Sequence, residues 1–128
     1  MALWQGKSKR KSTGGRYRLA RKKRKFEIAN EFQICILGPR RQKELRTLGG
    51  GQKFKLLGDD YINVVEKGAT KQVRMKMATV LSNPSNPNFV RRNILTKGAI
   101  VQLEDKRKAR ITSRPGQHGC INGVILKE

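Results

Sequence analysis

The sequence predicts an all-β protein, a small single-domain β-barrel carrying a long basic N-terminal extension. Three observations carry that expectation. From residue 32 onward, short apolar or alternating runs are separated by turn residues at intervals of roughly eight to twelve positions, the spacing of a sandwich or barrel. Those runs are short and hold few bulky residues, so closing the sheet leaves fewer exposed edges than an open sheet would. The third observation is charge: residues 1–26 contain eleven of the 30 Lys and Arg and none of the nine Asp and Glu. The boundaries expected from this are a basic, extended tail over 1–30 and a barrel over 31–128.

The tail holds only Leu3, Trp4, Tyr17, Leu19 and Phe26 as large apolar groups, too few to offset its ordering entropy without a polyanion to fold against. Gly14 and Gly15 allow a sharp bend or a close backbone approach. A helix is expected only over Arg18 to Ala29, where Leu19, Arg21 to Lys25 and Glu27 are acceptable helix formers. Phe32 to Leu37 then reads as a strand ended by Gly38-Pro39. Leu45 to Leu48 and Lys53 to Leu57 flank Gly49-Gly50-Gly51 as a hairpin. Tyr61 to Val65 is followed by a turn over Glu66 to Thr70. In Gln72 to Leu81, Val73, Met75 and Met77 alternate with Gln72, Arg74 and Lys76, which predicts one dry and one cationic face. Ser82 to Asn88 is an irregular loop because each Pro removes a donor and restricts its predecessor. Ala99 to Leu103 and Lys108 to Thr112 form a last hairpin around Glu104 to Arg107. Arg114 to Gln117 is a turn, and Cys120 to Leu126 closes the sheet.

At 128 residues and a formal charge of +21, the chain has room for one modest core and a strongly cationic surface. A pI near 11.1 suits nucleic acid or an anionic membrane, but neither an apolar span nor an amphipathic helix is present to support the membrane. The opening Met-Ala-Leu-Trp is too short for a signal-peptide core and precedes the charges, which predicts a cytoplasmic location. Cys35 and Cys120 lack metal-ligand spacing, so no metal or cofactor is expected. Catalysis finds no support either. The acids form only two adjacent pairs, and His118 has no partner spaced for a relay. No small-molecule substrate is implied.

The run Arg21, Lys22, Lys23, Arg24, Lys25 is read as a phosphate-binding segment, since neutralising phosphates releases condensed counterions without any base contact. Trp4, Tyr17 and Phe26 interleave with the charges and either stack on bases or staple the tail to the barrel. Around the Pro-framed loop, Asn83, Asn86, Asn88, Arg91, Arg92 and Asn93 form a docking surface for RNA, or the amides cap their own backbone. Phe89 and Val90 would anchor that loop, and the two guanidinium groups cannot both be buried unpaired. Thr96-Lys97-Gly98 and Arg114 to Gly119 are loop tips that offer backbone amides and a cation, without the spacing of a nucleotide-binding loop.

Residues Met1-Ala-Leu-Trp-Gln-Gly6, Thr13-Gly-Gly-Arg16, Arg21-Lys-Lys-Arg-Lys-Phe-Glu27, Asn83-Pro-Ser-Asn-Pro-Asn-Phe-Val-Arg-Arg-Asn-Ile94, Thr96-Lys-Gly-Ala99 and Arg114-Pro-Gly-Gln117 occur in the order of a known family. The chain closely resembles the small-subunit ribosomal proteins numbered eight of the archaeal and eukaryotic type, in the short archaeal form. That resemblance implies a compact β-barrel with a basic extension threaded into small-subunit rRNA, other small-subunit ribosomal proteins as neighbours, no enzymatic activity and a place on the cytoplasmic ribosome. The RNA-facing residues it implies are Trp4, Lys7, Arg10, Gly14, Gly15, Arg16, Arg21, Lys22, Lys23, Arg24, Lys25, Asn86, Arg91, Arg92, Lys97 and Arg114. Two rival roles share part of the pattern: a ribosome assembly factor of the same family, and a non-specific nucleic-acid-compacting protein.

Overall fold

The computed structural model describes residues 3–66 and 71–126, and strands dominate it. Met1, Ala2 and most of the turn expected over Glu66 to Thr70 lie outside the described residues. The chain divides into two compact units, Met1–Phe32 and Gln33–Glu128.

In the first unit, β1 (Leu3–Trp4) pairs antiparallel with β2 (Ile28–Ala29), Leu3 opposite Ala29 and Trp4 opposite Ile28. The helix expected over Arg18 to Ala29 does not form; a single 3-10 turn at Lys25–Glu27 leads directly into β2. Five consecutive like charges repel along any helix face, whereas the extended form lets Ile28 and Ala29 take up the hydrogen bonds of β1. The segment is therefore a folded-back loop held at its base.

The second unit contains β3 (Cys35–Ile36), β4 (Arg41–Arg46), β5 (Gln52–Gly58), β6 (Tyr61–Val65), β7 (Gln72–Ser82), β8 (Ile94–Leu95), β9 (Ile100–Leu103), β10 (Lys108–Ile111) and β11 (Asn122–Ile125). Two one-turn helices interrupt them, α1 (Asn88–Arg91) and α2 (Pro115–His118). Five strands close into a barrel in the order β10-β11-β6-β7-β9; β11 and β6 run parallel and every other neighbour antiparallel. A second sheet runs β4-β5-β3-β8. The all-β class and the barrel thus stand as expected.

Leu56, Ile62, Val64, Leu95, Val101, Leu103, Ile111 and Ile121 fill one contiguous core. Their spacing explains the strands: Ile62 and Val64, Val101 and Leu103, and Ala109 and Ile111 each point inward at period two. The long strand β7 departs from the expected alternation. Val73 is 56% exposed, Met75 half-buried and Met77 buried. The register then shifts between Met77 and Thr79, so the next buried residue is Val80. Such a bulge bends a strand and re-aims its side chains, which a strict period of two cannot anticipate. The strand expected from Phe32 shrinks to Cys35–Ile36, with Phe32 itself exposed. The expected hairpin forms as β4 and β5, with its first strand starting earlier, at Arg41, and ending at Arg46 before the turn, while β1, β2 and β8 add to the expected set. After α2, Gly119 takes φ of +68°, and a Cβ there would stand 2.9 Å from Cβ of Phe54 and 3.1 Å from its carbonyl oxygen. Only glycine fits that position, which sets α2 against β5.

Candidate nucleic-acid interface

Within Met1–Phe32 the chain folds out and back around Gly14 and Gly15. Arg10 bridges to Arg16, the Lys11 amide donates to the Gly15 carbonyl at 2.8 Å, and the Tyr17 amide donates to the Lys9 carbonyl at 2.8 Å. Gly14 closes this turn at φ of +84°, a left-handed conformation that side chains disfavour. At the base, the Gln5 amide donates to the Glu27 carbonyl at 2.9 Å. The ring N–H of Trp4 donates to the Lys7 carbonyl at 2.9 Å, with the Lys9 ammonium 4.7 Å from the ring centre. Lys11 and Lys7 lie 5.5 and 6.0 Å from the Tyr17 ring. Trp4, Lys7, Lys9, Tyr17, Leu19 and Arg21 contribute to the lining of a hollow of about 450 Å³.

Glu27 organises the end of this unit. The Arg21 guanidinium donates to both of its carboxylate oxygens, at 2.6 and 2.9 Å, and the Arg24 amide donates at 3.0 Å. Arg21, and then the Arg24 amide, hold the Glu27 carboxyl down to about 2. Arg21 therefore fastens the turn. Lys22, Lys23, Arg24 and Lys25 are exposed along it, as are Lys7, Arg10 and Arg16. Trp4 is half-buried. The sequence motifs thus converge on one small, acid-poor, cationic unit.

In the second unit the Pro-framed loop is fixed from within. Buried Asn83 donates to the Ile94 carbonyl at 3.2 Å and accepts from the Ser85 amide at 3.0 Å and the Thr96 hydroxyl at 2.9 Å. Asn86 accepts from the Asn88 amide at 2.9 Å. Asn93, at φ of +48°, accepts from the Val80 amide at 3.3 Å. These side-chain carbonyls serve backbone and hydroxyl donors, so for the amides the capping alternative describes the geometry. The guanidinium groups do something different. Phe89 and Val90 are half-buried while Arg91 and Arg92, at the end of α1, are exposed.

Lys97 is exposed on the turn before β9, which is closed by the Ala99 amide donating to the Thr96 carbonyl at 3.2 Å and tied to β10 by the Gly98 amide donating to the Ile111 carbonyl at 2.8 Å. Arg114 is exposed at the start of α2, with its guanidinium 3.5 Å from the Gln117 side-chain oxygen. The buried Ser113 hydroxyl donates to the Cys120 carbonyl at 3.0 Å and accepts from the Asn122 amide at 2.8 Å, clamping that turn. Cys35 lies in the core, where burial pushes its thiol up to about 12. It stays a neutral packing group at neutral pH.

Other cations take partners that only the fold supplies. Arg74 stacks 4.4 Å from the Tyr61 ring, and Arg40 sits 3.6 Å from the buried Asp59 carboxylate, whose other oxygen accepts from the Tyr61 amide. Arg107 pairs with both Glu66 and Asp105, and Lys76 lies 3.3 Å from Glu104. The register of β6 on β7 sets Tyr61 opposite Lys76 and Asn63 opposite Arg74, which brings Arg74 diagonally within reach of the Tyr61 ring.

The sequence profile described as ribosomal protein S8e matches residues 4–126. The chain belongs to the ribosomal protein S8e family. It is 51% identical over 123 residues to the small ribosomal subunit protein eS8 of Methanocella arvoryzae, covering 96% of this chain and 98% of that one. The protein of the same name from Methanospirillum hungatei is 51% identical over 126 residues, covering 97% and 98%. That of Methanococcus aeolicus is 40% identical across the whole of both chains. S8e membership agrees with the resemblance carried by the motifs and makes the chain a structural, non-catalytic ribosomal protein.

Proposed function

We propose that this S8e protein is a constituent of the small ribosomal subunit that binds and stabilises small-subunit rRNA on the cytoplasmic ribosome. The division of labour follows the expected boundary: residues 1–30 supply affinity and residues 31–128 supply placement, through Arg91, Arg92, Lys97 and Arg114. The observation that carries this reading is the distribution of carboxylates. In Met1–Phe32 eleven cations meet only Glu27 and Glu31, and Glu27 is spent on Arg21. A surface so short of acids is complementary to phosphate, and counterion release supplies the driving force. Lys7, Arg10, Arg16, Lys22, Lys23, Arg24 and Lys25 hold phosphates in this reading. Trp4, Gly14, Gly15 and Arg21 shape the loop that presents them, and Asn86 shapes the loop that presents Arg91 and Arg92.

Binding of the full chain to small-subunit rRNA, to random RNA of equal length and to duplex DNA across a salt series tests the reading. Each phosphate contact contributes a slope of about 0.7 to 0.9 in the log-log plot. Replacing Lys22 and Lys23 with Gln should weaken all three nucleic acids in similar proportion, since phosphate contacts position without reading sequence. Replacing Arg91 and Arg92 with Ala should cost about 1 to 3 kcal/mol per well-formed contact with the rRNA and little with random RNA. Equal affinity of the unaltered chain for rRNA and duplex DNA would instead favour non-specific compaction. Absence from mature small subunits in sedimentation would favour an assembly factor.

A further inference from the structure

The hairpin of β4 and β5 carries a surface that the tail and the loops do not account for. Its register sets Lys43 opposite Lys55, Leu45 opposite Lys53 and Glu44 opposite Phe54. Opposed residues share a face of an antiparallel pair, so Lys43, Lys53 and Lys55 stand together on one face while Glu44, the only acid of the two strands, stands on the other. The face with Phe54 abuts the end of α2 at Gly119. Lys43 and Lys53 are exposed on the opposite face and Lys55 is half-buried. Like charges directly opposed across a ladder destabilise it. Elsewhere in this unit the strand cations Lys76 and Arg74 are compensated, by Glu104 and by the Tyr61 ring. Among the described residues, the three ribbon lysines have no carboxylate partner. At the apex, Leu48 is wholly exposed, on a turn closed by the Thr47 amide donating to the Gly51 carbonyl at 2.7 Å.

We propose that the lysine face of the β4–β5 ribbon is a third RNA-docking element, which lies along the phosphate backbone of an rRNA helix with Leu48 against its shallow groove. The proposal rests on the reading of the chain as an rRNA-binding protein and adds the part of the surface that does the binding. Charge complementarity selects the occupant: a row of ammonium groups about 7 Å apart along a strand, doubled across the ladder, matches a line of phosphates. Lysine is a point charge on a flexible stem, suited to phosphate and poor at reading base edges. RNA duplexes are recognised chiefly by shape and backbone, through a minor groove wide and shallow enough for an apolar tip. The ribbon thus fixes the orientation of the barrel on RNA without selecting a base sequence.

Lysine footprinting of the full-length protein tests this with no substitution. Acylation of Lys43, Lys53 and Lys55 should fall at least threefold in the complex with small-subunit rRNA, while that of Lys76, paired to Glu104, changes little. The full-length K43Q/K53Q/K55Q variant should lower the salt slope by about 2, at roughly 0.7 to 0.9 for each phosphate no longer neutralised. It should melt no lower than the unaltered protein, because the opposed charges are gone. Absence of protection on rRNA, or an unchanged slope, would overturn the ribbon assignment. Protection seen only in intact subunits would overturn it in favour of an acidic protein neighbour. Failure of the unaltered chain to bind rRNA would sink the parent reading, whereas normal binding with unprotected ribbon lysines removes the ribbon alone.

Discussion

Met1–Phe32 and the barrel carry comparable excesses of positive charge yet keep their shapes by opposite means. The barrel buries a full set of branched aliphatics, from Leu56 to Ile121, and most of its acids outside the core pair with strand or turn cations. The first unit has no buried residue among those described. A folded-back turn, lysines over Trp4 and Tyr17, and the Arg21–Glu27 fork hold it. Apolar burial is not screened by moderate salt, whereas exposed charge contacts are screened over about 10 Å at 0.1 M ionic strength. The difference teaches that one unit is held by burial and the other by exposed contacts, which under the proposed function it would trade for phosphate contacts.

The largest way to break that contrast is to weaken the barrel itself. Ile62 is fully buried, faces the core from β6, and lies where a Cβ on Gly123 would meet it. Ile62→Ala should cost about 2 to 5 kcal/mol, from lost burial and the cavity left behind. Chemical denaturation should show it as a lower midpoint at unchanged slope. Because the loss is apolar, it should be nearly the same at low and at high salt. A loss that shrinks strongly with salt would mean that the barrel too depends on surface charge.

A smaller effect is expected at Asn83, which fixes the loop that leads to Arg91 and Arg92. Asn83→Ala removes one donor and one twice-used acceptor, leaving the Ile94 carbonyl, the Ser85 amide and the Thr96 hydroxyl without that partner. The cost should be about 1 to 3 kcal/mol. The discriminating readout is rRNA binding below the melting transition. If the loop's rigidity presents Arg91 and Arg92, the preference for rRNA over random RNA should fall even though no cation was removed. An unchanged preference would confine Asn83 to stability.

Legibility of the fold followed the physics of each segment. Ile62, Val64, Val101 and Leu103 announce strands because burial on one face imposes a period of two. The hairpin of β4 and β5 is legible from Leu45 and the three glycines, but the start of β4 at Arg41 is not: the strand is exposed at all but Leu45, so only its pairing with β5 sets its extent. The Arg18 to Ala29 helix failed because propensity ignores the repulsion of five adjacent cations, and because Glu27 finds its partner six residues back through a turn. For the site, the basic run and Arg91-Arg92 were visible as composition. The roles of Asn83 and Asn93 were not, since capping and docking use the same amide and only register separates them. The ribbon lysines were equally hidden, because Lys43 and Lys55 become neighbours only across the ladder.

The smallest expected effect sharpens the contrast from the other side, at Glu27. Its carboxyl is held at about 2, against an ordinary 4.5, by the Arg21 fork first and the Arg24 amide second. A depressed folded value means that the contribution to the folded-back loop is complete above the ordinary value and is lost as the pH falls through about 2. Arg21 is exposed and Glu27 only half-buried, so the pair's strength is modest and salt-screened. Proton-detected NMR of the full chain should therefore show the Arg24 and Gln5 amides shifting with a midpoint near 2 at low salt, while core amides such as that of Val101 stay still over the upper part of that range. Glu27→Gln should abolish the transition, loosen the first unit, and leave the melting temperature of the barrel unchanged within error. A Glu27 midpoint at its ordinary value would mean that the fork does not persist in solution. The first unit would then owe its shape to the turn at Gly14 and to the rings alone, and Arg21 would join Lys22 and Lys23 among the residues proposed to hold phosphate.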